Sequence, residues 1–184
     1  MKKNILMMVV LSILALTSCT KKEDVVVSPY HIGQIKDYGE IFYIDNSGQH
    51  GLICSVLNVS NGMKWCDGDY PIITDTAFGK GLSNTYSIIG VNLYSDYVAY
   101  QCQLFSRGAF HDWYLPSKAE LNQLYLVHNK IPSFDSSFNG FYWSSSSYGK
   151  DGKYAWAQNF NTGEQVYLDA LHDRVACAMA IRNF

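Results

Sequence analysis

Asp112-Trp113-Tyr114-Leu115-Pro116-Ser117-Lys118-Ala119-Glu120-Leu121 is the stretch on which the reading of this chain turns. Ser117 followed three residues later by Glu120 is a capping box. The serine oxygen accepts a backbone N–H of the first turn, and the glutamate reaches back to the amide of the cap. Pro116 fixes the entry to the helix, and Leu121, Leu124, Tyr125 and His128 line one stripe of it until Pro132 stops it. Trp113 and Leu115 are large apolar plugs for a core, so the segment reads as framework rather than as a functional loop.

Working outward, two further helices precede this one. Ser83-Asn84 caps a short helix through Tyr86, Ile88 and Ile89, which Gly90 ends or weakens. Ser95-Asp96 caps another through Phe105, with Val98, Cys102 and Phe105 on one face and Gly108 as its close. Earlier still, Glu40–Asp45 and Gly51–Leu57 are strands joined by the turn Asn46-Ser47-Gly48. Between hairpin and helices, Asn58 to Lys80 is polar and Gly-rich, with Trp65 and Cys66 as its anchors to the core. On the C-terminal side come the strands Phe141–Ser146, Tyr154–Phe160 and Glu164–Leu168, the last two joined by Asn161-Thr162-Gly163. Arg174 to Phe184 alternates through Val175, Cys177, Met179 and Ile181. A hairpin, then helices, then an antiparallel meander predicts an α+β fold.

The N-terminus has a different character. Met1-Lys2-Lys3 is basic, Ile5–Leu16 is almost unbroken apolar sequence, and Leu16-Thr17-Ser18-Cys19 resembles a lipobox. The apolar run is shorter than the roughly 20 residues of a spanning helix, and small residues end it, so residues 1–18 read as a cleaved lipoprotein signal. The resemblance implies acylation of Cys19, which would tether the chain to a membrane at about 0.8 kcal/mol per buried CH₂. Residues 19–33 then form a polar, extended tether and residues 34–184 the folded domain. The expected location is the outer membrane or cell surface; Glu23-Asp24 is weakly similar to the surface-export signals of Bacteroidetes lipoproteins.

Of 5 cysteines, removing Cys19 leaves Cys54, Cys66, Cys102 and Cys177. An even number in an exported chain points to two disulfides, with three connectivities open. No CxxC is present, which argues against zinc and thioredoxin-like chemistry. The chain has 14 Lys and Arg against 16 Asp and Glu, and no basic patch, so nucleic acid is excluded as the expected partner. With 14 Tyr and 4 Trp, aromatic side chains exceed what filling the core demands and leave rings for a binding surface.

Four stretches together resemble one family: Thr76–Thr85, Asp112–Leu121, Tyr142–Ser146 and Ala155–Phe160, with Gly51-Leu52-Ile53 before them and Ile181–Phe184 after. This is similar to the DUF1566 family, also called the Lcl C-terminal domain after a collagen-like adhesin, over roughly Gln34 to Phe184. The resemblance implies a C-type-lectin-like fold: a twisted antiparallel sheet, two or three flanking helices and long loops. It implies adhesion or ligand binding rather than catalysis. It also implies the bridge Cys66–Cys102, which leaves Cys54–Cys177. The chain departs from the family where the last strand usually has two arginines: Met179 stands at the first, and only Arg182 remains.

Catalytic constellations are poorly framed. Ser144 to Ser147 lack a nucleophile elbow. Cys66 or Cys102 beside His111 or His128 imitates a Cys–His pair only if the thiols are unbridged. No histidines are spaced as metal ligands, and no cofactor is expected; Asp67, Asp69 and Asp75 are the acids that a structural calcium would use. The expected ligand contacts are Trp143, Tyr148, Tyr154, Trp156, Gln158, Asn159 and Tyr167, because ring faces meet sugar C–H groups while amides take hydroxyls. A glycan or protein ligand outside the cell is thus expected, with a role in a fimbrial or glycan-uptake assembly as the alternative and an enzyme of the formylglycine-generating fold third.

Overall fold

A computed structural model of the chain describes residues 28–66, 71–91, 95–134, 140–173 and 176–184. The expected leader, Cys19 and most of the tether lie outside the described residues, as do Asp67 and Asp69. The end of the expected tether lies against the domain: Ser28 Oγ donates to Gly48 O at 2.8 Å, and Tyr30 meets Phe184 edge-on at 5.1 Å.

The described strands are β1 (Ile35–Lys36), β2 (Gly39–Ile44), β3 (Gly51–Ser55), β4 (Phe141–Tyr148), β5 (Tyr154–Asn159), β6 (Gln165–Asp169) and β7 (Ile181–Asn183). They form two antiparallel sheets, ordered β1-β2-β3-β7 and β4-β5-β6. The helices α1 (Gly81–Val91), α2 (Val98–Leu104) and α3 (Lys118–Val127) lie between them in sequence, and a 3₁₀ turn at His128–Lys130 follows α3. The α+β expectation holds, with the strands divided between two sheets instead of one.

Why the hairpin strands read as continuous apolar runs is visible in the core. Ile41 and Ile53 belong to one buried cluster with Trp65, Trp113, Trp143, Val98 and Leu115. Their neighbours Phe42, Leu52 and Cys54 belong to a second, with Leu121, Leu124, Tyr142 and Phe160. Both faces of the first sheet are therefore covered, so there is no solvent side to demand polar residues. The C-terminal segment does the same work: Ala176, Ala178 and Ala180 enter the first cluster, Cys177, Met179 and Ile181 the second.

That segment corrects one expectation. Arg174 to Phe184 alternates in sequence like one strand, yet among its described residues, 176–184, only Ile181–Asn183 forms a ladder, with β3. Its partners change along its length. Cys177 bonds Phe141 and Trp143, Ala178 bonds Ser60, and Ile181 exchanges bonds with Tyr114. The segment stitches the two sheets together, so alternation survives without a continuous ladder.

The helices also differ locally. α2 starts after Tyr97, with no side-chain cap, not at Ser95-Asp96. α1 runs through Gly90 to Val91; an added Cβ at Gly90 would meet nothing, so nothing in the packing breaks the helix there. α3 has the capping box as expected, with Glu120 N–H on Ser117 Oγ and Ser117 N–H on Glu120 Oε2.

The expected bridges Cys66–Cys102 and Cys54–Cys177 are absent. All four cysteines are buried thiols, although each expected pair shares a core cluster. Burial pushes the Cys54 and Cys102 thiols well above their ordinary range, which starves any exchange reaction of thiolate. Iodoacetamide is thus expected to label none of the four in the native protein and all four after unfolding without reductant. Mass spectrometry of the alkylated chain reads the result, and failure to label the unfolded chain would show that bridges form after all.

Candidate functional site

β5 alternates with period two. Ala155 and Ala157 face the core, while Tyr154, Trp156 and Gln158 face outward. Pairing assembles neighbours for them: Tyr148 of β4 lies opposite Tyr154, and on β6 Tyr167 lies opposite Trp156 and Gln165 opposite Gln158. A register shift between Trp143 and Ser147 interrupts the β4–β5 ladder and is spanned by Ser144 Oγ, which donates to Trp156 O at 2.8 Å.

α3 covers only part of this outer face. Gln158 lies under it, 1 % exposed, with its Nε2 donating to Asn122 Oδ1 at 2.9 Å. Beyond the start of α3 the sheet is open. There Tyr148, Tyr154 and Tyr167 are 38 %, 39 % and 51 % exposed. Tyr148 and Tyr167 stack at 4.2 Å with planes 9° apart; Trp156 meets Tyr148 edge-on at 5.1 Å, and Tyr154 meets Tyr167 edge-on at 5.6 Å. Such pairs are worth about 0.5–1.5 kcal/mol each beyond area burial, so the rings hold one another in place before any ligand arrives.

Lys118, the first residue of α3, places Nζ 3.2 Å above the centre of the Trp156 ring. Burial holds its pKa below the ordinary lysine value. Its position follows from the capping box: Ser117 is anchored by Glu120, and Lys118 N–H donates to Ser146 Oγ at 2.9 Å, so the helix start is pinned beside β4. The site is a stacked aromatic face with one cation at its border.

Of the seven expected contacts, Tyr148, Tyr154, Trp156 and Tyr167 come together here. Three do not. Trp143 is fully buried and donates from Nε1 to Met63 O at 2.9 Å. Gln158 is on the right face but sealed under α3. Asn159 builds the β5–β6 turn, its Oδ1 taking the amides of Asn161 and Thr162. Lys118 was not legible as a site residue, since its sequence position says only that it begins a helix. Gln165 and Tyr167 share their face by simple alternation, a signal present in Glu164–Leu168.

The other constellations resolve into structure. Ser144 and Ser146 donate to backbone carbonyls of Trp156 and Asp75, and Ser147 Oγ accepts the Thr74 amide. Exposed Asp75 caps its own turn by taking the Ala77 amide. Among the described residues no group of three His, Cys, Asp or Glu is placed to hold a metal ion, and no helix is long and apolar enough to cross a membrane.

The sequence model of the Lcl C-terminal domain matches residues 59–180. The match takes in all three helices and the ring face, and leaves out β1–β3 and β7, so it is narrower than the resemblance read from Gln34 to Phe184. No curated protein matches the chain.

Proposed function

The chain belongs to the Lcl C-terminal domain family, and on that premise we propose that it is a non-catalytic binding module whose ligand is a glycan lying on the face of Tyr148, Tyr154, Trp156 and Tyr167. The observation that carries this is the exposed, mutually stacked set of rings, with an ammonium at its edge. Ring faces receive sugar C–H groups; the phenol hydroxyls and Lys118, not the buried amide of Gln158, serve the sugar hydroxyls. The hydroxyls of Ser144, Ser146 and Ser147 are bonded to backbone groups and that of Ser145 takes the Asn84 amide, which supports the reading without turnover. A protein ligand is second, and a structural role in a surface assembly is the alternative.

The same reading includes a C-type-lectin-like fold, supported by family membership and by the α+β order of elements. It also includes a lipid at Cys19 and a place on the outer membrane or cell surface, supported by the lipobox-like Leu16-Thr17-Ser18-Cys19. Mass spectrometry of native material with an unmodified Cys19 would remove the tether.

A glycan array with soluble protein beginning at Thr20 tests the ligand. Consistent sugar hits are expected, and Tyr148→Ala with Tyr167→Ala is expected to weaken them at least tenfold, since losing two exposed aromatic anchors costs at least about 1.4 kcal/mol of binding. The melting temperature serves as the control. Undiminished binding by the double variant defeats the ring face; a stable protein partner with no sugar hits favours the assembly.

A further inference from the structure

The chain leaving β3 and the end of α2 enclose a cavity of about 300 Å³ that shares no residue with the ring face. Leu57 and Val59 line it from the first, Leu104 and Phe105 from the second. The frame is fixed: Val59 N–H donates to Ala178 O at 2.8 Å, and Ser55 Oγ donates to Leu57 O at 2.8 Å. Leu57 and Leu104 are nonetheless more than half exposed, so the cavity keeps apolar surface to bury.

Arg107 lines the same cavity. A tight turn holds its main chain, with Arg107 N–H on Phe110 O at 3.2 Å and Phe110 N–H on Arg107 O at 3.0 Å. Its guanidinium lies 5.4 Å from the centre of the Phe105 ring. Among the described residues no carboxylate pairs with it, and its solvent-inaccessible Nε has no acceptor. A half-buried cation without a counter-charge carries a desolvation cost that an anion offsets. Two amide oxygens add acceptors. Gln101 Nε2 donates to Ser95 O at 3.1 Å, and Asn58 Nδ2 to Asn61 Oδ1 at 3.2 Å. Gln101 Oε1 and Asn58 Oδ1 are left with no donor among the described residues.

These groups define the occupant. One guanidinium matches a monoanion, and its planar fork suits a carboxylate; a phosphate dianion would keep uncompensated charge. None of the lining residues is acidic, so an ammonium would find no counter-charge, whereas the amide oxygens suit a neutral N–H. The apolar walls take an apolar side chain. Carboxylate, amide N–H and apolar side chain occur together in the last residue of a polypeptide, and about 300 Å³ is the small end of the range for ligand pockets. A second copy does not supply it through Phe184, whose N–H and C=O bond Gly51 and whose ring packs on Tyr30.

We propose that the Arg107 cavity captures the C-terminal residue of a partner polypeptide, apolar in its side chain and held by its free carboxylate. An NMR titration of the full chain in detergent with acetyl-Ala-Ala-Ala-Leu tests it. The peptide is expected to shift the amides of Val59, Leu104 and Arg107 saturably, and its C-terminally amidated form to bind about tenfold more weakly. Arg107→Gln is expected to weaken the free-acid peptide about tenfold and to leave the amidated one unchanged, with the melting temperature as the control for folding. Equal binding of the two peptides by the wild-type protein overturns the proposal, whatever the variant does. So does the absence of shifts at these amides with peptides ending in Leu, Val and Phe. Free leucine or acetyl-leucine binding as tightly as the tetrapeptide overturns the polypeptide occupant in favour of a small carboxylate.

Discussion

Glu120→Ala is expected to lower the free energy of unfolding by about 3–5 kcal/mol, from the loss of three buried hydrogen bonds to a charged acceptor. Glu120 is fully buried, and its carboxylate serves more than the helix cap. Oε2 accepts the amides of Ser117 at 2.7 Å and Gly81 at 3.1 Å, and Oε1 accepts that of Gly79 at 3.2 Å. One side chain therefore ties the start of α3 to the loop that opens α1. Gly81 is a glycine for the same reason: a Cβ there would collide with Glu120 Oε2. Urea unfolding reads the loss as a lower midpoint at unchanged slope. A variant within 1 kcal/mol of wild type would show that the loop finds other acceptors.

The same carboxylate has a pH signature. Burial raises its pKa, and the amides of Ser117, Gly79 and Gly81 only partly oppose that. A carboxyl whose folded pKa lies above its unfolded value holds its proton more tightly when folded. Its contribution is therefore most favourable below the unfolded pKa, and it declines as pH rises through the folded one. The advantage of wild type over Glu120→Gln is expected to narrow as pH rises from about 4.5. An advantage that does not change with pH would contradict this.

Arg182→Ala is expected to cost about 2–4 kcal/mol, by emptying the slot of a buried side chain that packs on Phe110 and by removing its hydrogen bonds to Asp112. The guanidinium is 9 % exposed and grips Asp112 with two bonds, Nε to Oδ1 at 2.7 Å and Nη2 to Oδ2 at 3.0 Å. It also lies 4.1 Å from the centre of the Phe110 ring and 3.6 Å from Asp37 Oδ2. Asp37 and Tyr38 form the two-residue turn between β1 and β2, both with positive φ, 50° and 66°. Asn and Gly favour that conformation; a tyrosine in it is held by surroundings, here Phe110 at 6.3 Å. Arg182 thus fastens the last strand to a strained first turn. Asp112→Ala is expected to cost less, about 2 kcal/mol, because that carboxylate is 57 % exposed and Asp37 remains. Thermal unfolding of both single variants and the double variant gives the coupling, and an additive double variant would rule the pair out as a unit. The missing companion arginine leaves no gap: Met179 is buried in the second core cluster.

Much of this architecture was legible in one dimension. The capping box at Ser117, the strands around Tyr154 and Glu164, and the plugs Trp65, Trp113 and Leu115 are set by contacts within a few residues or by plain apolarity. So was the solvent-facing row of rings, since alternation along a strand needs no knowledge of its partners. What escaped were features decided by distant chain. Trp143 and Trp156 are both tryptophans on antiparallel strands, yet one is buried and the other lies on the outer face; the register and the covering helix choose between them. Gln158 lost its exposure to α3, and Lys118 gained a ring through the same docking. The C-terminal segment kept its alternation but not its ladder, because hydrogen-bond partners for each residue come from three different parts of the chain. Local propensity and apolar pattern are written in neighbouring residues. Burial, pairing and charge contacts exist only once segments far apart in sequence have met.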